Sequence, residues 1–268
     1  VLLERLFNRS VAGQHRSFLF GHQRSTEAGV SFTDPFATQL RSDVRDVVGD
    51  YPALVGWDLS FDPAKFRRHV LQLAAAGGIN SYSWHMRHPL THGPPDDVVR
   101  VDVARLLPGG DAHQAFLDLL DPVVRYLASL PASVPILLRP FHEMNGRNFW
   151  WSSRSCTGEE FGRLWRFTVD HMRRRGLNNL LLVYSPALAV LPNTATSAEA
   201  YLEHYPGDGY VDVLAMDAYQ KGEGARSPPW PRALEEAVRV VASLAATRAK
   251  PWALSEAGPL HGLRGGVV

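Results

Sequence analysis

Residues Val134–Trp151 read VPILLRPFHEMNGRNFWW. A short apolar, β-rich run gives way to an arginine, a histidine, a glutamate and two tryptophans within one turn-rich segment. A run of that length bounded by turn residues suits a strand buried on both faces, as in a parallel sheet covered by helices. Polar groups crowded at its carboxyl end suit a sheet whose connecting loops carry a site.

The same layout recurs along the chain. Strands are expected at FLFGHQ, LVGWDLS, INSYSWHM, PILLRPFHE, LLLVYSP, VDVLAMDAY and PWALSEAG. Amphipathic helices fall between them. Asp62 and Pro63 open one as cap and first residue, and Gly77-Gly78 close it. Thr157 and Glu160 form a capping box ahead of Phe161, Leu164, Trp165, Thr168 and Met172, and Gly176 ends that helix. A third pattern starts near Asp111 with Phe116, Leu120, Val124 and Leu127 on one face, and a last one runs from about Arg232 to Thr247.

Strands alternating with helices predict an α/β fold. No glycine-rich phosphate turn follows an early strand, which disfavours an open nucleotide-binding sheet. Polar and aromatic residues end nearly every strand: His22 and Gln23, Trp57 and Asp58, Trp84 and His85, Glu143, Tyr219, Glu256. That distribution predicts a (β/α) barrel of the TIM type, whose sites lie at the carboxyl ends of the strands.

The bulk composition narrows the function. The chain has 268 residues, 45% hydrophobic and 21% charged, which suits one large globular domain spanning 1–268. Lysine and arginine total 28 against 27 acidic residues, so no basic face for nucleic acid or an anionic membrane is expected. The longest apolar run, LLLVYSPALAVLP, is broken by Pro186 and is shorter than the ~20 residues of a spanning helix. No charged n-region followed by an apolar h-region and a cleavage site opens the sequence, so any export signal is expected to be absent or trimmed. Cys156, the single cysteine, has no disulfide partner and no histidine or asparagine context for a nucleophilic thiol.

Glu143 and Glu256, both at strand ends, can face one another across a barrel mouth. Glycoside hydrolysis needs such a pair, one group protonating the leaving oxygen and the other attacking the anomeric carbon. Trp150 and Trp151 offer apolar faces and N–H donors that suit sugar rings. Arg139 is expected to supply positive charge beneath the nucleophile, and Tyr219 to donate to Glu256. His85, His88 and His92 lie on a Pro/Gly-broken loop with no second cluster to complete a metal site, and HEMNG lacks the second histidine of a zinc-protease helix. No metal or cofactor is expected. Trp57, Trp165, Trp230 and Trp252 are assigned to packing. Asp217 is either a ligand contact or a prop for its strand end.

RPFHEMNGRNFWW, with FGHQ, YSWHMRHP, YPGDGYVDVLAMDAY and LSEAG, resembles glycoside hydrolase family 26 in the same order over most of the chain. The resemblance implies a (β/α)8 barrel of clan A, with the acid/base after the fourth strand and the nucleophile after the seventh, here Glu143 and Glu256. It implies that His142 binds near the scissile bond, that Trp151 and, less directly, Trp150 wall the leaving-group side, and that Trp84 and His85 hold the sugar that is attacked. Tyr219 would touch the nucleophile.

The activity implied is that of a retaining endo-β-1,4-mannanase, secreted and monomeric, acting on a polysaccharide. Hydrolysis of β-1,3-xylan or mixed-linkage glucan, or carbohydrate binding without hydrolysis, stay open as alternatives. After LSEAGPLHGLRGGVV no eighth strand follows. The expectation is therefore a barrel lacking its eighth βα unit, with unpaired edges on the first and seventh strands.

Overall fold

The computed structural model describes residue 6 and residues 18–188, 197–220 and 229–259. In chain order the elements begin with β1 (Gly21–Gln23), a hairpin of β2 (Ala28–Gly29) and β3 (Phe32–Thr33), and α1 (Asp43–Val48). Next come β4 (Leu54–Asp58), a 3-10 turn at Pro63–Phe66 that runs into α2 (Arg67–Ala75), and β5 (Ile79–Ser83). They continue with α3 (Val103–Leu106), α4 (His113–Ala128), β6 (Ile136–Arg139), α5 (Gly158–Arg174) and β7 (Leu180–Tyr184). The last are α6 (Ala198–Leu202), β8 (Val213–Gln220), α7 (Pro229–Thr247) and β9 (Trp252–Pro259).

Seven strands form one parallel sheet in the order β1-β4-β5-β6-β7-β8-β9. Neighbours in space are neighbours in sequence, the rule of a (β/α) barrel, and the sheet is a curled arc of that barrel with helices around it. Among the described residues β1 and β9 each pair on one side only. Residues 260–268, after which the missing eighth strand was expected, lie outside the described residues.

Two layers of apolar side chains follow from the two-residue period of the strands. On β6, Ile136 and Leu138 join the larger cluster with Trp57, Tyr82, Phe116 and Trp165. Leu137 points the other way, with Ile79, Val183, Val213 and Ala215. Arg139 is two residues on from Leu137 and so shares its concave face. Register then aligns the strand ends: Asp58 pairs with Ser83, Ser83 with Arg139, and Asp217 with Glu256 across a register shift after Met216. Asp58 and Arg139 thus share one row and Asp217 and Glu256 another, and the Arg139 side chain joins the two rows by reaching both carboxylates.

The helices begin and end where local chemistry dictates. In α5 the Thr157 hydroxyl accepts from Glu160 N–H while the Glu160 carboxylate accepts from Thr157 N–H, satisfying donors that the first turn leaves free. Its buried stripe includes Phe161, Leu164, Trp165, Val169 and Met172, at about 1.5–3 kcal/mol for each large side chain taken from water. Gly77 and Gly176 close α2 and α5 with φ of 86° and 84°, a left-handed turn that glycine enters at no steric cost.

Three details depart from expectation. The first strand starts at Gly21 rather than Phe18, and Phe18 is exposed. The Asp62-capped segment opens as a 3-10 turn before becoming α2. Helix α7 starts at Pro229 rather than near Arg232, because proline's fixed φ and missing N–H suit a first turn.

Candidate active site

The loop after β6 holds an unfavourable backbone. Phe141 and Glu143 have φ of 50° and 55°, in the left-handed region, which costs a non-glycine residue on the order of 1 kcal/mol or more. Packing and hydrogen bonds offset that cost. The Phe141 ring lies edge-on to Trp150, Trp151 and Phe161 at 6.0–6.3 Å between centroids. Glu143 N–H donates to Ser185 O at 2.8 Å, and Trp151 Nε1 donates to His142 O at 2.8 Å. The Asn145 amide clamps Ala187, donating to its carbonyl at 2.9 Å and accepting from its N–H at 2.8 Å. Glu143 is therefore presented, half-buried, on a segment tied to the end of β7.

Glu256 rises from β9 opposite that loop, its side chain 26% exposed. Arg139 Nη2 donates to Oε1, and the Tyr219 hydroxyl donates to Oε2 at 2.8 Å. Arg139 itself is nearly buried and turns its other nitrogen to Asp217 at 2.7 Å. Asp217 is the prop rather than a ligand contact: fully buried, it is also hydrogen-bonded to Ser185 at 2.8 Å and Ser255 at 2.7 Å. Burial pushes its carboxyl up, against the opposing pull of Arg139 and the two hydroxyls. One guanidinium thus bridges a buried carboxylate and a half-exposed one, the planar fork that arginine supplies and lysine does not.

The two glutamates share this network. Ser185, whose carbonyl receives Glu143 N–H, has its hydroxyl 2.7 Å from that of Ser255, the residue before Glu256. The Tyr219 hydroxyl is held above its ordinary value first by burial and then by the charge of Asp217, with Glu143 adding to the effect and Arg139 opposing it. Glu143 thus lies near enough to Tyr219 for its charge to act on the phenol that donates to Glu256. Two carboxylates meeting at one mouth can divide the work of an acid and a nucleophile.

A second chain of groups lines the same mouth. His85 Nδ1 is 2.5 Å from Asp58 Oδ2, and His85 Nε2 is 3.1 Å from His142 Nε2. His142 is buried, and burial first, then Arg139 and His85, hold it well below 6.5, so it is neutral. Its Nδ1 has no hydrogen-bond partner.

The paired tryptophans need correction. Trp150 and Trp151 are both 0% exposed, and their N–H groups are spent on Met86 O and His142 O. Neither offers an open face or a free donor to a sugar; they brace the loop. Trp84 also packs into the larger core cluster. The aromatic of this loop that reaches the mouth is Phe149, partly exposed, stacked on Trp151 at 4.5 Å and 19° and set edge-on to His85 and His142. Its signal in the sequence was its place one residue before the pair, on the outward side of a turn. Asp58 was also missed as a site residue; it stands at a strand end, as Glu143 does.

His88 of HMRHPLTHG serves the loop: its Nδ1 accepts from Leu90 N–H and Thr91 N–H, and its Nε2 lies 3.0 Å from Val99 O. Among the described residues no group of three or more histidine, cysteine, aspartate or glutamate side chains is arranged to hold a metal ion. Nor is any described helix long and apolar enough to cross a membrane.

Comparison with known proteins bears on this geometry. The sequence pattern of glycosyl hydrolase family 26 matches residues 4–247. A mannan endo-1,4-beta-mannosidase of Bifidobacterium adolescentis is 31% identical over 261 residues, covering 89% of this chain. The chain spans only 25% of that relative's length. Among solved structures, a GH26 beta-mannanase from Bacteroides ovatus superposes with a TM-score of 0.84 at 32% identity, over 96% of this chain and 76% of that one. A modular endo-beta-1,4-mannanase from Cellulomonas fimi gives 0.84 at 30% identity, over 98% of this chain and 60% of that one.

Proposed function

The chain belongs to glycosyl hydrolase family 26, and from that premise we propose that it hydrolyses β-1,4-mannan, cutting within the polymer with retention of anomeric configuration. Glu143 gives its proton to the glycosidic oxygen as the bond from that oxygen to the anomeric carbon breaks. A Glu256 oxygen forms the new bond to that carbon, leaving a glycosyl-enzyme. Water then attacks the same carbon, yields a proton to Glu143 and releases Glu256. Double displacement of this kind needs the carboxyl groups ~5–5.5 Å apart. The reaction requires no cofactor.

The observation that carries the reading is the convergence of Arg139 and Tyr219 on the two oxygens of Glu256. Two donors stabilise the carboxylate's negative charge and aim it, as a nucleophile requires. His85 would contact the sugar at the attacked position and Phe149 would offer it an apolar edge, while His142, expected to bind near the scissile bond, is buried behind His85 and would act through it. Arg139 acts by holding Glu256, and Trp150, Trp151 and Trp84 by supporting the wall. The choice of mannan rests on the printed activities of the relatives. A polymeric substrate implies work outside the cell, and the proposed acting form is a monomer.

The test is sugar release from β-1,4-mannan, β-1,3-xylan and mixed-linkage β-glucan. The expected result is release from mannan with early loss of viscosity, abolished in both Glu143→Ala and Glu256→Ala. Release only from the other two polymers would remove mannan as substrate. Binding to mannan without release by any of the three proteins would make the chain a carbohydrate binder.

A further inference from the structure

Asp58 has no part in the chemistry of Glu143 and Glu256, yet its carboxylate is fully engaged at the mouth. Oδ1 accepts from Ser60 N–H at 2.9 Å and from the Ser60 hydroxyl at 2.6 Å, while Oδ2 takes His85 Nδ1. Burial works against ionisation there, but hydrogen bonds from His85 and Ser60 outweigh it and hold the carboxyl below its ordinary value. An ionised carboxylate only accepts, so the His85 proton sits on Nδ1.

That assignment propagates. With Nδ1–H given to Asp58, His85 turns Nε2 toward His142 Nε2 at 3.1 Å, and one of these two nitrogens must accept. His142, itself neutral, has one proton for two nitrogens; on Nε2 it is donated to His85 and Nδ1 is left as a bare acceptor. The structure agrees, for Nδ1 of His142 is buried with no partner. The opposite tautomer would bury an N–H with no acceptor, which native proteins avoid more strictly than an unused lone pair. His142 is joined by a peptide to Glu143, whose left-handed φ of 55° needs external support.

We propose that Asp58 is a positioning residue that acts through His85 to fix the tautomer and ring plane of His142, and so holds the peptide carrying Glu143 in its working conformation. This rests on the reading of Glu143 as proton donor. The link is the Asp58–His85–His142 chain, built from β4, the loop after β5 and the loop after β6. Asp58→Asn keeps the shape but can turn an amide N–H toward His85. That favours the other His85 tautomer and sets Nε2–H against Nε2–H at His142. At metal-bound histidines the loss of such an orienting partner lowers activity by roughly 10–100-fold, and the same scale is expected for this orienting carboxylate.

The experiment combines kinetics on β-mannan oligosaccharides with imidazole 15N NMR. Asp58→Asn is expected to lose roughly 10–100-fold in kcat with KM little changed. Asp58→Glu, which restores the charge on a longer arm, is expected to recover part of that loss. A merely structural Asp58 would rank them the other way, the isosteric asparagine being better tolerated. In the wild type, His142 should be Nε2-protonated and His85 should show a far-downfield Nδ1–H that vanishes in Asp58→Asn. A wild-type His142 protonated on Nδ1, or an Asp58→Asn enzyme with wild-type kcat, overturns the proposal. The NMR arm needs no turnover: if the wild type released no sugar, the mannanase reading would fail while the tautomers still decided the role of Asp58.

Discussion

The Tyr219 hydroxyl donates to Glu256 Oε2 at 2.8 Å, on the oxygen that Arg139 leaves free. The carboxylate is therefore held from both sides, and rotation about its last bond would cost one contact or the other. That relationship makes Glu256 aimed as well as charged.

Removing the phenol tests the aim. A hydrogen bond to a charged group contributes about 1.5–3 kcal/mol, so Tyr219→Phe is expected to lower kcat roughly 10–100-fold on β-mannan. The unfolding midpoint should stay near the wild-type value, since Phe fills the same space. Unchanged kcat would show that Arg139 alone orients Glu256.

Arg139 tests stability instead. Its side chain is 5% exposed and Asp217's is 0%, so Arg139→Met leaves a buried carboxylate with only two serine hydroxyls. Breaking a buried pair from one side costs about 3–5 kcal/mol. Arg139→Lys should be damaging too, because one ammonium cannot reproduce the fork to Asp217 and Glu256. Urea denaturation measures both, and Arg139→Met/Asp217→Leu should regain part of the loss.

Three histidines set an acid limit. Burial is the first cause that holds His69, His142 and His204 below 6.5. Above that pH they are neutral folded or unfolded. As pH falls through 6.5 the unfolded chain takes up protons that the folded one refuses, so stability falls, by up to about 1.4 kcal/mol per pH unit for each histidine. Urea midpoints should drop between pH 7.5 and 5.5; equal midpoints would contradict the neutral assignment.

Cys156 is 6% exposed, its S–H donates to Trp151 O at 3.1 Å, and burial, with Glu160 adding, pushes the thiol up to about 12. A thiol reagent at pH 8 should leave the native protein unlabelled and take up one equivalent on unfolding. Rapid labelling of the folded protein would show the tryptophan loop to be open.

The strands were legible because fully buried strands are short apolar runs between turn residues, as in LLLVY, and the helices because caps such as Thr157 and Glu160 announce them. The hairpin β2–β3 and helix α1 were not foreseen, since elements of two to six residues are too short to show a period. Glu143, Glu256, Arg139 and Tyr219 stood out as chemistry-bearing side chains at strand ends. Trp150 and Trp151 misled because a sequence shows an amphipathic ring but not where its N–H is spent. Asp58 escaped because its partner His85 meets it only through the pairing of β4 with β5, which places Asp58 level with Ser83.

The central claim is that Glu256 bonds to the anomeric carbon, and a 2-deoxy-2-fluoro-β-mannooligosyl fluoride tests it most directly, because the fluorine slows breakdown of the glycosyl-enzyme. Intact-protein mass spectrometry should show one added glycosyl group, peptide mapping should place it on Glu256, and Glu256→Ala should take up none. A label on any other residue, or turnover of mannan with inversion and no trapped adduct, would contradict the account.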